Sequence, residues 1–381
     1  MSDDTTATFG GADGVAIKKK AGEKLFVASQ WQLFVWKFFR HKVAVVSVVL
    51  LLVLYIVCVF AEFFGPYDPR DTDRAFLFAP PTRIRMFHEG RIRRPFIYPL
   101  VPGVDEISMR RIYTPDTTRT VPVRLFHRGD PYKLWGVFES DLRLFGVEEG
   151  KLFLMGADPR GRDVFTRTLH GGRLSLSVGL VGIAMSFVIG IVMGGLSGYI
   201  GGVLDLIVQR IIEFVRSIPT LPLWMGLSVA LPPHWSVVRV YFGIVLILSL
   251  MTWTGLARVV RGKFLSLREE DFVLAARLCG ARQGRIIFRQ MLPSFYSYII
   301  ASLTLSIPAM ILGETSLSFI GLGLQAPAIS WGVLLRDAQQ LQVLAHTPWL
   351  VTPALFVIGS ILAFNFAGDG LRDAADPYAR I

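Results

Sequence analysis

The chain has 381 residues, of which 52% are hydrophobic and only 18% are charged. Soluble domains carry roughly 25% charged residues, so this composition excludes an ordinary soluble protein. A formal net charge of +11 is typical of nucleic-acid-binding proteins, of proteins on anionic lipid and of membrane proteins with arginine-rich cytoplasmic loops. Because the hydrophobic residues form uncharged runs of the length that crosses a bilayer, the sequence favours a membrane protein and no nucleic-acid partner.

The N-terminal segment, residues 1–42, is polar and basic, and the first uncharged run follows at residues 43–61. No small-residue cleavage site follows a short apolar core, so we predict a retained transmembrane helix instead of a signal peptide. Lys and Arg concentrate on the cytoplasmic side of membrane proteins. The N-terminal segment is therefore predicted to be cytoplasmic.

Residues 62–173 form a second compositional region, between the first and second uncharged runs. Short strand-like pieces at 96–98, 121–126 and 151–154 alternate there with Gly, Pro and Asp turns, which predicts a β-rich insertion. The region is arginine-rich, but loops longer than about 60 residues cross membranes largely regardless of charge. We therefore place the insertion on the extracytoplasmic side.

Residues 174–381 supply the later uncharged runs, and the whole chain is predicted to be a mainly α-helical, polytopic integral membrane protein with about six transmembrane helices. These later runs lie at 174–199, 218–231, 240–256, 295–312 and 349–366. Lys and Arg are abundant in the connection after the fourth run, as they are in the N-terminal segment. Both termini and this connection are therefore predicted to be cytoplasmic.

The connection at about residues 263–293 has the most informative pattern in the chain. Ser266 with Glu269 matches a capping box. The pattern predicts a helix over about 267–279, ended by Gly280, and a second, basic helix after it. Two helices joined by a glycine turn could be gripped by a soluble partner or held against lipid headgroups.

The same connection resembles the EAA loop of ABC importer permeases, which has Glu-Ala-Ala, then a Gly, then an Ile-x-Leu-Pro ending. The matching positions at that loop's spacing are Ala275, Ala276, Gly280, Leu292 and Pro293. Leu274 stands in place of the Glu, and Gln290 stands in place of the Ile. Further segments resemble the dipeptide/oligopeptide/nickel class of these permeases, at residues 156–165, 172–176, 313–323 and 368–377.

The resemblance implies a permease subunit of an ATP-driven, binding-protein-dependent importer for oligopeptides or dipeptides in the bacterial inner membrane. Oligosaccharides or nickel complexes are the alternative cargoes. The implied partners are a second homologous permease subunit, one or two ABC ATPase subunits, membrane lipid and an extracytoplasmic substrate-binding protein. Residues 67–153 form a much longer connection than compact members of the class have, so the resemblance does not assign them a role. We predict that they touch the binding protein or roof the transport pathway, and that they contribute nothing to ATPase docking. Residues implied in coupling ATPase motion to alternating access are Asp271, Ala275, Ala276, Gly280, Leu292 and Pro293.

Nucleotide chemistry is expected to belong to the partner ATPases, which would bind ATP and Mg. This chain has no Gly-x-x-x-x-Gly-Lys-Ser/Thr loop, so we expect it to be no enzyme and to bind no cofactor. Its 6 histidines have no metal-ligand spacing, so no metal site is expected either.

Glu314, near the end of the fifth run, has two interpretations. An ionisable residue there is a candidate gate or pathway residue, or it lies at the membrane boundary and points to water. An ion-gradient-driven secondary transporter is the alternative function, but the spans are nearly charge-free. A membrane-anchored structural or receptor protein would not need the docking-shaped loop.

Overall fold

The computed structural model describes residues 30–88, 91–106, 111–232 and 234–375. It confirms the predicted mainly helical fold, whose helices are α1 Gln30–Arg40, α2 Lys42–Val59, α3 Ala61–Phe64, α4 Val164–Ile200, α5 Gly202–Ser217, α6 Thr220–Val229, α7 Val237–Leu267, α8 Asp271–Leu278, α9 Gln283–Ile286, α10 Tyr296–Phe319, α11 Trp331–Arg336, α12 Leu341–His346 and α13 Thr352–Ala375. The predicted N-terminal segment is described only from Gln30 onward, and residues 376–377 of the last matching segment lie outside the described ranges.

Within the described ranges, 5 stretches of helix are long and apolar enough to cross a membrane. They are Lys42–Val59, Val164–Ile200, Val237–Leu267, Gln283–Phe319 and Pro348–Ala375. These stretches contain the second, fourth, fifth and sixth predicted runs and all but the last two residues of the first. The molecule is therefore built as a multi-pass membrane protein.

The third predicted run, 218–231, differs from the other runs because it contains only the 10-residue helix α6. A helix of that length spans about 15 Å, roughly half of a hydrocarbon core of about 30 Å. The amphipathic helix α5 precedes it and ends at Ser217. Pro219 lacks the N–H that a continuous helix would need, so it separates charged α5 from apolar α6.

The second span begins at Val164 instead of at residue 174, so the insertion ends before 173. The side chain of Asp163 caps the helix by accepting a hydrogen bond from the backbone N–H of Thr166, at 2.7 Å. The sequence predicted a start at residue 174 because the charge-free run begins there. Helix α4 nevertheless includes Arg167 and Arg173 in its first turns. Both guanidinium groups are paired, with Asp158 at 3.5 Å and with Glu62 at 2.5 Å.

The insertion is β-rich, as predicted. Its described strands are β1 Arg85–His88, β2 Arg91–Ile97, β3 Leu100–Val104, β4 Arg111–Pro115, β5 Val121–Pro122, β6 Arg124–Leu134 and β7 Phe138–Gly146. They pair antiparallel into one three-stranded sheet, β1-β2-β5, and two hairpins, β3-β4 and β6-β7. Small apolar clusters around Phe153 and Leu152 give the insertion a core of its own.

The centre of the helical part is the close pairing of α4 with α7. A Cβ added at Gly190 would lie 2.8 Å from Leu256, and one at Gly198 would lie 2.7 Å from the backbone oxygen of Arg261. Small residues of this kind let membrane helices approach closely. The two long helices are therefore packed backbone against backbone at the end that carries α8.

Candidate functional site

The coupling loop, defined as about residues 263–293, begins with the last turn of α7. The predicted capping box is not formed, because Ser266 still belongs to α7 and the backbone N–H of Arg268 donates to the carbonyl of Phe264 at 3.0 Å. Apolar packing of Phe264, which is fully buried, extends the preceding helix through this position. Helix α8 starts only at Asp271 and has no side-chain cap.

Gly280 ends α8, as predicted. Its φ of +74° lies in the left-handed region, which glycine enters without the steric cost that other residues meet. The N–H of Gly280 donates to the carbonyl of Arg277 and the N–H of Ala281 donates to the carbonyl of Ala276, each at 3.0 Å. This pair of hydrogen bonds is the Schellman ending of an α-helix.

The inner face of α8 is buried against the spans. Val273 and Ala276 belong to an apolar cluster that joins α8 to α4, α7 and α10, together with Ile191, Tyr199, Leu256, Val260, Phe264, Ile286, Met291, Leu292, Phe295 and Ile299. The guanidinium of Arg277 also lies 5.1 Å from the ring centre of Tyr199, on α4. Helix α8 is therefore packed against the ends of three long helices.

The outer face of α8 carries Asp271, Ala275 and Gly280, which are all exposed. From the interval of four residues, the sequence predicts that Ala276 shares this face with Gly280 and leaves a gap there for the ATPase. This prediction is wrong, because the methyl group of Ala276 packs inward. Leu278, 90% exposed, is the most exposed of the apolar residues on α8, and the sequence patterns above did not single it out. Leu274 and Leu278 lie one helical turn apart. This i, i+4 pair of leucines is the sequence pattern that would have indicated an exposed apolar position at Leu278.

The second half of the loop is helical but irregular. After α9, a π turn over Ile287–Met291 and a 3-10 turn over Leu292–Phe295 lead into α10. Pro293 has no N–H to continue the regular α-helical ladder, which accounts for the change of helix type. Leu292 is buried in the shared cluster and Pro293 is exposed, so these two matched positions face opposite ways.

An ion pair braces the helix ends beside the loop. Arg261 on α7 donates through Nε and Nη2 to the two carboxylate oxygens of Asp205 on α5, at 2.6 Å each. Asp205 also accepts a hydrogen bond from Ser197 of α4. A bidentate Arg–carboxylate pair fixes geometry as well as contributing attraction, so α4, α5 and α7 are held together next to α8.

Glu314 is completely buried, and the interpretation that it points to water is wrong. Its Oε2 accepts from the hydroxyl of Ser175 at 2.9 Å, and its Oε1 accepts from that of Ser318 at 2.8 Å. Ser175 Oγ in turn accepts from the backbone N–H of Trp331 at 3.1 Å. The carboxylate thus links α4, α10 and α11 inside the helix packing.

In the described part of the chain, no group of three or more His, Cys, Asp or Glu side chains could hold a metal ion.

Two family models match separate parts of the chain. The family model described as binding-protein-dependent transport system inner membrane component matches residues 186–381. A second model, the N-terminal TM domain of oligopeptide transport permease C, matches residues 29–81.

Named relatives agree with these matches. The dipeptide transport system permease protein DppC of Bacillus subtilis is 42% identical over 225 residues, which cover 59% of this chain and 68% of that protein. The oligopeptide transport system permease protein OppC of Haemophilus influenzae is 34% identical over 354 residues, covering 92% and 90%. A solved structure of the MetNI methionine ABC transporter, in an inward-facing conformation, is 19% identical with a TM-score of 0.44, covering 55% of this chain and 96% of that one.

Proposed function

The chain belongs to the family of binding-protein-dependent transport system inner membrane components, and from that membership we propose that it is a permease subunit of an ABC importer of oligopeptides or dipeptides. The peptide cargo rests on the names of its relatives. Oligosaccharides and nickel complexes are the cargoes to test against it. The chain works beside a second homologous permease subunit, with a substrate-binding protein on the extracytoplasmic side.

The observation that carries the mechanism is the attachment of α8. Its inner face is buried in one cluster with α4, α7 and α10, while Leu278 and Gly280 are exposed on its outer side. One or two ATPase subunits dock on that outer side and bind ATP and Mg. When ATP closes them, α8 moves and carries the ends of the three helices with it.

Alternating access then follows from the difference in ATP affinity between the two conformations. A ligand shifts an equilibrium only by its differential affinity for the two states. The partner ATPases supply that free energy, and this chain transmits it without nucleotide chemistry of its own. In this arrangement the chain lies in the bacterial inner membrane, with both termini and the coupling loop in the cytoplasm.

A secondary transporter is the second candidate, and buried Glu314 is the observation that favours it. Carboxylates inside membrane spans often serve proton or ion relays. Here both carboxylate oxygens already accept hydrogen bonds from serines. We therefore assign Glu314 to holding α11 against α4 and α10, close to the transport pathway.

Reconstituted uptake separates the two functions. The permease pair, ATPases and binding protein are placed in liposomes, and uptake of a labelled tetrapeptide is measured with and without ATP. We expect uptake to require ATP, to persist with a protonophore, and to persist in part in Glu314→Gln. Uptake that needs a proton gradient but no ATP would contradict the proposal. If an oligosaccharide or a nickel chelate competes with the tetrapeptide for uptake, the assignment of the cargo would change.

A further inference from the structure

The tip of the β6-β7 hairpin exposes a cluster of large apolar side chains. Trp135, Val137 and Phe138 are 47%, 71% and 61% exposed, and they follow one another around the turn between the two strands. A hairpin tip in water is normally built from polar residues and glycine. An exposed apolar group of this size marks a surface that contacts another apolar phase or a partner.

This tip lies at the end of the first span. The indole N–H of Trp135 donates to the carbonyl oxygen of Val59, the last residue of α2, at 2.8 Å. Its ring lies 5.2 Å, centre to centre, from that of Phe60. Arg173 donates to the same carbonyl at 2.7 Å, so this free carbonyl at the helix end has two donors.

The backbone is strained to place the aromatic ring there. Trp135 has a φ of +52°, in the left-handed region, which bulky residues rarely adopt. Gly136, with a φ of +76°, completes a tight turn of the primed type. Such strain persists where surrounding contacts hold it, and it is concentrated at sites with a function.

The rest of the hairpin satisfies its own charges. Lys133 lies 3.2 Å from Glu139, directly across the two strands, and Arg124 lies 2.8 Å from Glu148 at the other end. The charged side chains near the tip are therefore paired within the hairpin. These ion pairs do not cover the apolar side chains of the tip.

Continuity with α2 identifies what covers the tip. The side chains of Val53, Ile56 and Val59 are exposed along the last two turns of this span, up to the carbonyl that Trp135 holds. An apolar face of a span that no helix of its own chain covers lies against lipid or against a span of a partner chain. Trp is enriched where such spans leave the hydrocarbon, because its ring is apolar and its N–H is polar.

We propose that the tip of the β6-β7 hairpin, residues 134–138, inserts into the lipid interface beside the end of α2 and anchors the insertion to the membrane. The lipid is on the side of the membrane where the insertion lies. The inference requires α2 to be a span but does not depend on the cargo. A second permease subunit or the binding protein seated on the tip are the competing outcomes.

Spin labels distinguish these outcomes. In a Cys58→Ala, Cys279→Ala background, Val137→Cys and, as the matched control at the far end of the hairpin, Glu149→Cys are labelled with a nitroxide. The whole importer is placed in phosphatidylcholine nanodiscs. Collisions are then measured with oxygen, which partitions into lipid, and with chromium oxalate, which stays in water.

We expect the label at Val137 to collide several-fold more with oxygen than with chromium oxalate, and the label at Glu149 to show the reverse. Frequent collisions of the Val137 label with chromium oxalate would place the tip in water. Protection from both reagents would place a protein on it, and either result overturns the proposal.

A second variant guards against a local artefact of the label. Val137→Asp is added to a chain labelled at Phe138→Cys, and Val137→Ile serves as the control. We expect the aspartate to lower the ratio of oxygen to chromium oxalate collisions several-fold and the isoleucine to leave it unchanged, since a charge is costly in lipid. An unchanged ratio in Val137→Asp would also overturn the proposal.

Discussion

The coupling loop and the insertion both expose apolar side chains, but they are attached to the spans differently. Val273 and Ala276 of the coupling loop share one apolar cluster with residues of α4, α7 and α10. The insertion instead has small cores of its own, and a separate apolar cluster joins its Phe78 and Met155 to Val164 and Leu350. Among its hydrogen bonds to the spans, Trp135 donates to the carbonyl of Val59 at 2.8 Å, and Trp349 of the last span donates to the carbonyl of Ala157 at 3.1 Å.

This difference separates two mechanical roles. A force on α8 reaches the spans through packed side chains, which resist compression. The apolar clusters of the insertion share no residue with the cluster that holds α8, so a displacement of the insertion does not act directly on α8. We therefore expect damage to the coupling loop to stop transport, and damage to the insertion to weaken one step of it.

The largest expected effect is all-or-none and concerns the side of the membrane on which each region lies. Single cysteines at Glu149 and Gln283, two exposed positions, are introduced in a background without Cys58 and Cys279. An impermeant thiol reagent should label the Glu149 position in intact cells and the Gln283 position only after lysis, because basic segments stay cytoplasmic. The opposite pattern would invert the arrangement of both regions.

The next largest effect is expected from Gly280→Glu. Among the described residues, no atom other than those of Gly280 and its chain neighbours lies within 4 Å of a Cβ added at Gly280. The substitution therefore disturbs the turn, at a cost of about 1–2 kcal/mol, and not the packing around it. The new carboxylate would lie in the proposed ATPase contact. We expect normal membrane insertion but a loss of stable ATPase association, measured by co-purification, and at least a tenfold loss of uptake.

Two controls sharpen this prediction. Gly280→Asn should keep most of the uptake, because Asn tolerates the left-handed conformation better than other residues do. Gln283→Glu adds the same charge three residues on and should do much less. Full uptake by Gly280→Glu at normal expression would show that the loop only lies against lipid.

Leu278→Ala should weaken the ATPase contact by roughly tenfold, the effect of a central interface residue. Because Leu278 is 90% exposed, the free permease should keep its thermal stability. Val273→Ala is the matched variant on the inner face, and it should lower stability, since it leaves a cavity in the shared cluster. If the two variants had equal effects on ATPase affinity and on stability, the outer and inner faces of α8 would not have different roles.

The sequence predicted the parts of this molecule that depend on local preference. Uncharged runs located five helices of span length, and glycine at position 280 correctly predicted the end of α8. Alternating strand-like pieces and turns predicted the β-rich insertion. These features follow from hydrophobicity and backbone freedom, which short stretches of sequence carry.

The errors come from contacts between distant parts of the chain. The early start of α4 depends on the pairing of Arg173 with Glu62, which lie 111 positions apart in the chain. The inward turn of Ala276 depends on the position of α8 against the spans, and the burial of Glu314 depends on Ser175. No local pattern encodes these pairings.

The smallest effect should come from shortening the insertion. The backbone N–H of Asp116 donates to the carbonyl of Pro99 at 2.9 Å, so residues 100–115 can be replaced by a short glycine linker without moving the ends. We expect ATPase co-purification to be unchanged and binding-protein association or uptake to fall several-fold. Normal transport by a folded, shortened chain would show that this part of the insertion has no role in transport.

The most direct test of the central claim compares one residue from each region. A photo-cross-linking amino acid is placed at Leu278 or at Val137, and the assembled importer is irradiated in the membrane. We predict an adduct with the ATPase subunit from position 278, and none from position 137. An importer that gives no ATPase adduct from position 278, or gives one from position 137, would contradict the account.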